Sequence, residues 1–85
     1  MSVFLVIPTD THFGVSSRVT ASGLQNFVLP RGEILVSFNG TSKELSDLLG
    51  ISEGVSGNAI VASVSSYFGR STPDTWEWIS RNWGG

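Results

Sequence analysis

Eighty-five residues with a net charge of −2, no cysteine and one histidine leave room for a single domain over residues 1–85, and they exclude a disulfide framework and a zinc site of imidazoles or thiolates. The five basic residues, Arg18, Arg31, Lys43, Arg70 and Arg81, are scattered and make no stripe for a phosphate backbone, so nucleic acid is a disfavoured partner. No apolar run approaches the ~20 residues of a membrane span, and Val3 to Ile7 lacks the basic flank of a signal segment, so the expectation is a cytoplasmic protein with no membrane contact.

In chain order, Val3-Phe4-Leu5-Val6-Ile7 is apolar at every position, the mark of a central strand covered on both faces, and Pro8 ends it because it cannot donate to a ladder. Thr9 to Gly23 has Val15 and Val19 at helical spacing among poor helix formers, which predicts a short or irregular first helix. Phe27-Val28-Leu29 reads as an edge strand, and Pro30-Arg31-Gly32 as the turn of a hairpin into Glu33 to Phe38, where Ile34, Val36 and Phe38 share an apolar face. Thr41-Ser42-Lys43-Glu44 has the form of a capping box, opening a short helix with Leu45, Leu48 and Leu49 on one stripe. Gly50 stands where a left-handed residue closes a Schellman motif, with Ile51 folding back. After a loop rich in Gly and Ser, Asn58 to Phe68 predicts a long strand whose even positions, Ile60, Ala62, Val64 and Phe68, are the more apolar set. Thr72-Pro73-Asp74 starts a last helix, expected from Pro73 to about Asn82.

The order β-(α)-β-β-α-β-α defines an α+β domain, a ferredoxin-like βαββαβ pattern with an added C-terminal helix and with the first and third strands at the sheet centre. A small β-grasp-like domain is the alternative, if the Thr9 to Gly23 segment is strand. On the last helix Trp76, Ile79 and Trp83 lie within about 60° of one another, and Trp78 lies about 200° from Trp76. The expectation is that Trp78, with Tyr67 and Phe68 from the long last strand, meets a second subunit in a homodimer.

Leu29-Pro30-Arg31-Gly32-Glu33-Ile34-Leu35-Val36, then Gly40-Thr41-Ser42-Lys43-Glu44-Leu45-Ser46, then Tyr67-Phe68-Gly69-Arg70 and Trp76-Glu77-Trp78-Ile79 together resemble the SinR-like group of small bacterial proteins. That group is in turn similar to the small CRISPR-associated nuclease and integration-scaffold family. The resemblance, from Phe27 to Trp83, implies a ferredoxin-like fold and a homodimer. In the nuclease relatives an aspartate closing the first strand binds a divalent metal. Thr9 stands at the matching position with Asp10 following, which makes Asp10 the candidate catalytic residue, although a one-residue slip turns a side chain to the other side of a strand.

Beyond Asp10, His12 stands alone without a nucleophile that can be placed beside it, and no serine occupies a nucleophile-elbow context. The terminal Gly84-Gly85 follows a helix rather than a strand, so it reads as a helix stop and not as a conjugation tail. Nothing in the sequence calls for a cofactor or a metal. The expectation is a non-enzymatic interaction or structural module, with a metal-dependent nuclease or toxin-type enzyme as the alternative. RNA binding on an open sheet face, with Phe27, Tyr67 and Phe68 as stacking platforms, is a third reading.

Overall fold

The structure is a computed structural model that describes residues 2–10 and 14–83. Four strands and three helices follow in the order β1 (Ser2–Pro8), α1 (Gly14–Ser22), β2 (Asn26–Val28), β3 (Ile34–Phe38), α2 (Ser42–Leu48), β4 (Ala59–Ser63) and α3 (Pro73–Asn82) among the described residues. The strands form one sheet in the order β2-β3-β1-β4, and every neighbouring pair is antiparallel. The two most continuously apolar strands thus hold the centre. The segment from Gly14 to Ser22 is helix, which removes the β-grasp alternative.

Alternation along β1 and β3 sends side chains to two separate cores. Phe4, Val6, Ile34 and Val36 meet Val15 and Val19 of α1 and Leu45 and Leu49, at most 1% exposed, between the sheet and the first two helices. Val3 and Leu35 point the other way and meet Trp78 and Ile79 of α3, with Leu5, Phe27, Leu29 and Val64 packed around them. The chain is therefore three layers: α1 and α2, the sheet, and α3. That arrangement explains why α1 stays helical despite poor propensity, since two valines four residues apart are fully buried and tertiary packing outweighs a weak intrinsic preference.

The ends of α2 are set by its own sequence. The Thr41 hydroxyl accepts the Glu44 N–H at 3.1 Å, and the Glu44 carboxylate accepts the Thr41 N–H at 2.9 Å, a complete capping box. At the other end the Gly50 N–H donates to the Asp47 carbonyl at 3.1 Å and the Ile51 N–H to the Ser46 carbonyl at 2.9 Å, the paired bonds of a Schellman motif. Gly50 has φ +74°, and a Cβ there would sit 3.1 Å from Arg18 Nη2 and 3.3 Å from Ser56 Oγ. Thr41→Ala is expected to destabilise the domain by about 1 kcal/mol, read as a lower urea midpoint with unchanged slope. Gly50→Ala combines left-handed strain with that contact and should cost about 1–2 kcal/mol; a stabilised variant would contradict the cap.

Two features depart from the sequence reading. The last strand does not run to Phe68: it ends at Ser63, with one further bond from the Val64 N–H to the Val3 carbonyl at 2.9 Å. Beyond Val64 the described chain leaves the sheet as a loop toward α3. Nor are the even positions of β4 the set that fills the main core. Ala59 and Val61 reach the core beneath α1 and α2, whereas Ile60, on the α3 side, is 55% exposed.

The second departure is the facing of α3. Thr75, Trp78 and Ile79 are the buried positions, at 5–6% exposure, and Trp76 and Trp83 lie half-buried on the flank. Trp78, expected to face outward, lies against the sheet and tilts onto Phe27 with ring centroids 6.3 Å apart. The physical reason is that Ile79 sits between the two tryptophan directions on the helix and can join either. The sheet takes Trp78, and the chain after β4 takes Trp76 and Trp83.

Candidate functional site

The segment between β4 and α3 carries the most exposed aromatic surface among the described residues. It leaves the sheet at Val64 and crosses to α3, where the Tyr67 ring stacks on Trp76 at 5.7 Å and meets Trp83 edge-on at 4.8 Å. Those geometries are the offset-stacked and T-shaped arrangements favoured by the ring quadrupoles. They tie an otherwise irregular segment to the helix. Phe68 then projects with its side chain wholly exposed, and Tyr67, Phe68, Gly69 and Trp76 line an apolar groove of about 250 Å³.

The start of α3 follows this surface in the chain and is held by side-chain hydrogen bonds. Pro73 occupies the first turn, and Thr72 stands at the N-cap, but its hydroxyl binds the Asp74 carboxylate and the Thr75 hydroxyl rather than a backbone N–H. The Ser71 hydroxyl donates to Thr75 Oγ1 at 3.2 Å, so three hydroxyls and one carboxylate bracket the turn. The hydrogen bond from Thr72 holds the Asp74 carboxyl below the usual carboxylate range, and backbone N–H groups at the helix start add to it.

Of the three residues assigned to an interface from sequence, the structure brings Tyr67 and Phe68 together on this surface and separates Trp78 from them. Trp78 is 5% exposed, so it offers a partner almost no surface. Sequence reasoning missed Trp76 and Trp83 as the partners of Tyr67. Their spacing of seven residues, two helical turns, places them one above the other on α3 and was the available signal. Phe27 is half-buried under α3, so Phe27, Tyr67 and Phe68 do not form one stacking platform on an open sheet face.

Asp10 lies at the other end of the sheet. Its carboxylate accepts the Asn58 N–H at 3.1 Å, beside the bond from the Thr9 N–H to the Asn58 carbonyl at 2.9 Å, so it ties the end of β1 to the entry of β4. It also lines a cleft of about 350 Å³ with Pro8, Ser16, Val28, Arg31, Gly32 and Glu33. Among the described residues no three His, Cys, Asp or Glu side chains come together as a metal site. His12 and the Gly84-Gly85 tail lie outside the described residues. Among the described residues no helix is long and apolar enough to cross a membrane.

Comparison with protein-family models, with curated proteins and with solved structures finds no match for this chain. What the fold establishes is an α+β domain with a four-stranded antiparallel sheet and three helices among the described residues.

Proposed function

We propose that this chain is a non-enzymatic interaction module that works as a homodimer, with Phe68 and the neighbouring outer side of β4 in the contact. The observation that carries the reading is Phe68: a wholly exposed aromatic beside the Tyr67–Trp76 stack and bordering an apolar groove. A wholly exposed ring at one end of an unpaired edge strand is apolar surface that a two-fold contact along that strand covers in both copies at once. Aromatic anchors of this kind carry much of an interface's energy. The strand order, with β1 and β3 central, supports a ferredoxin-like variant, to which α3 adds a cover for the second sheet face.

Phe68→Asp is expected to raise the dimer dissociation constant at least about 30-fold, the equivalent of ~2 kcal/mol for a buried aromatic anchor. Sedimentation velocity over a dilution series measures it, and an unchanged constant would remove Phe68 from the interface. A second reading, a metal-dependent nuclease, draws support from the placement of Asp10 and Glu33 in one cleft with Arg31. Metal-dependent cleavage of short RNA or DNA with Mg²⁺ or Mn²⁺, abolished in Asp10→Ala, would favour it over the first.

A further inference from the structure

β4 is an edge strand, and the hydrogen bonds already formed decide which of its backbone groups face outward. The Val64 N–H donates to the Val3 carbonyl and the Thr9 N–H to the Asn58 carbonyl, which makes Val3/Val64 and Thr9/Asn58 hydrogen-bonded pairs. In an antiparallel ladder such pairs recur at every second residue, so Ile60 and Ala62 also direct their backbone groups toward β1, opposite Ile7 and Leu5. Ala59, Val61 and Ser63 therefore present their N–H and C=O groups to the outer side, where no strand pairs with them among the described residues.

Edge strands in folded proteins are ordinarily blunted by charge, proline, a bulge or short length. The opposite edge of this sheet, β2, is three residues long. At β4 the first two are missing: from Gly54 to Gly69 the sequence has no charged residue and no proline. The outward groups are also symmetric. If a second β4 runs antiparallel with Val61 opposite Val61, then Ala59 meets Ser63 and Ser63 meets Ala59, and all three outward residues of each strand fall in hydrogen-bonded pairs, for about six new hydrogen bonds. Moving the axis by one residue leaves only two such pairs. The same register sets the exposed Ile60 directly opposite Ala62 of the other strand, covering an apolar side chain that is 55% exposed in the single chain.

We propose that β4 pairs antiparallel with β4 of a second copy of this chain about a two-fold axis through Val61, joining two four-stranded sheets into one of eight strands. The inference rests on the homodimer reading and specifies its backbone geometry. Because the chain has no cysteine, single-cysteine variants report the register cleanly. Ile60 and Ala62 of opposing strands form a non-hydrogen-bonded pair with Cα atoms about 4.5 Å apart, whereas two Ile60 residues across the axis are diagonal neighbours at about 7–8 Å, beyond disulfide reach. An oxidised equimolar mixture of Ile60→Cys and Ala62→Cys chains should give predominantly the mixed disulfide by intact mass, and either chain alone much less. A dimer by light scattering without that cross-link overturns the β4 register and leaves the homodimer reading standing. A monomer overturns both. Val61→Pro removes the central outward N–H and should leave a folded monomer by circular dichroism; a folded dimer would contradict the pairing, and Ser63→Lys supplies the same readout if the proline variant does not fold.

Discussion

Trp78→Ala is expected to lower the unfolding free energy by about 3–5 kcal/mol, the range for truncating a large buried aromatic. Trp78 is 5% exposed and forms, with Val3, Leu35 and Ile79, the core between the sheet and α3. For a domain of this size the loss is a large share of the whole stability, which for native proteins is typically about 5–15 kcal/mol. Urea denaturation followed by far-ultraviolet circular dichroism measures it. Trp76→Ala, at a half-buried position on the flank of the same helix, should cost clearly less. A reversed ranking would mean that α3 turns its other side to the sheet and that the second core is not built as described.

Leu45→Ala should cost about 2–5 kcal/mol in the same experiment, with the effect residing in the other core. Leu45 has no exposed surface and sits among Phe4, Val6, Ile34, Val36, Val15 and Val19. The two truncations lie on opposite faces of one sheet and share no cluster, so the double variant should lose nearly the sum of the two costs. Strong non-additivity would show that the layers are coupled through the strands between them. In α2 the Leu45 side chain also depends on both helix ends, because the capping box and the Gly50 motif fix the two ends of that seven-residue helix.

Local chemistry was the most legible part of this sequence. A capping box and a left-handed glycine are written within a few residues of each other, so the ends of α2 follow from Thr41, Glu44 and Gly50 alone. Pro73 and Asp74 marked the start of α3 for the same reason. The central place of β1 and β3 was readable because a strand covered on both faces needs apolar residues at both parities, as Val3 to Ile7 supplies. Positions decided by distant partners were not readable. Val61 and Ile60 are equally apolar, and only the register against β1 sends the first to the core and leaves the second exposed. Trp76 and Trp78 differ in the same way, since Tyr67 claims one and Phe27 the other. Ser56 carries no local signal, yet it is buried and its hydroxyl donates to the Leu49 carbonyl at 2.6 Å, closing the loop after α2.

At the candidate surface, Tyr67 and Phe68 were legible as aromatics on an uncharged stretch that no sequence feature protects. Their arrangement was not, because it depends on where β4 ends and on the contacts of Tyr67 with α3. The same stretch read as one long strand would have placed Tyr67 and Phe68 on opposite faces of the sheet. Once the strand stops, both belong to a single loop anchored on α3, and Phe68 is left projecting.

Self-association through the β4 side is proposed for the folded chain. Multi-angle light scattering on the unmodified protein at micromolar concentration tests it most directly. The expected mass is twice the 9.1 kDa chain, falling toward the chain mass in Phe68→Asp. A mass of 9.1 kDa for the unmodified protein across that concentration range would contradict it.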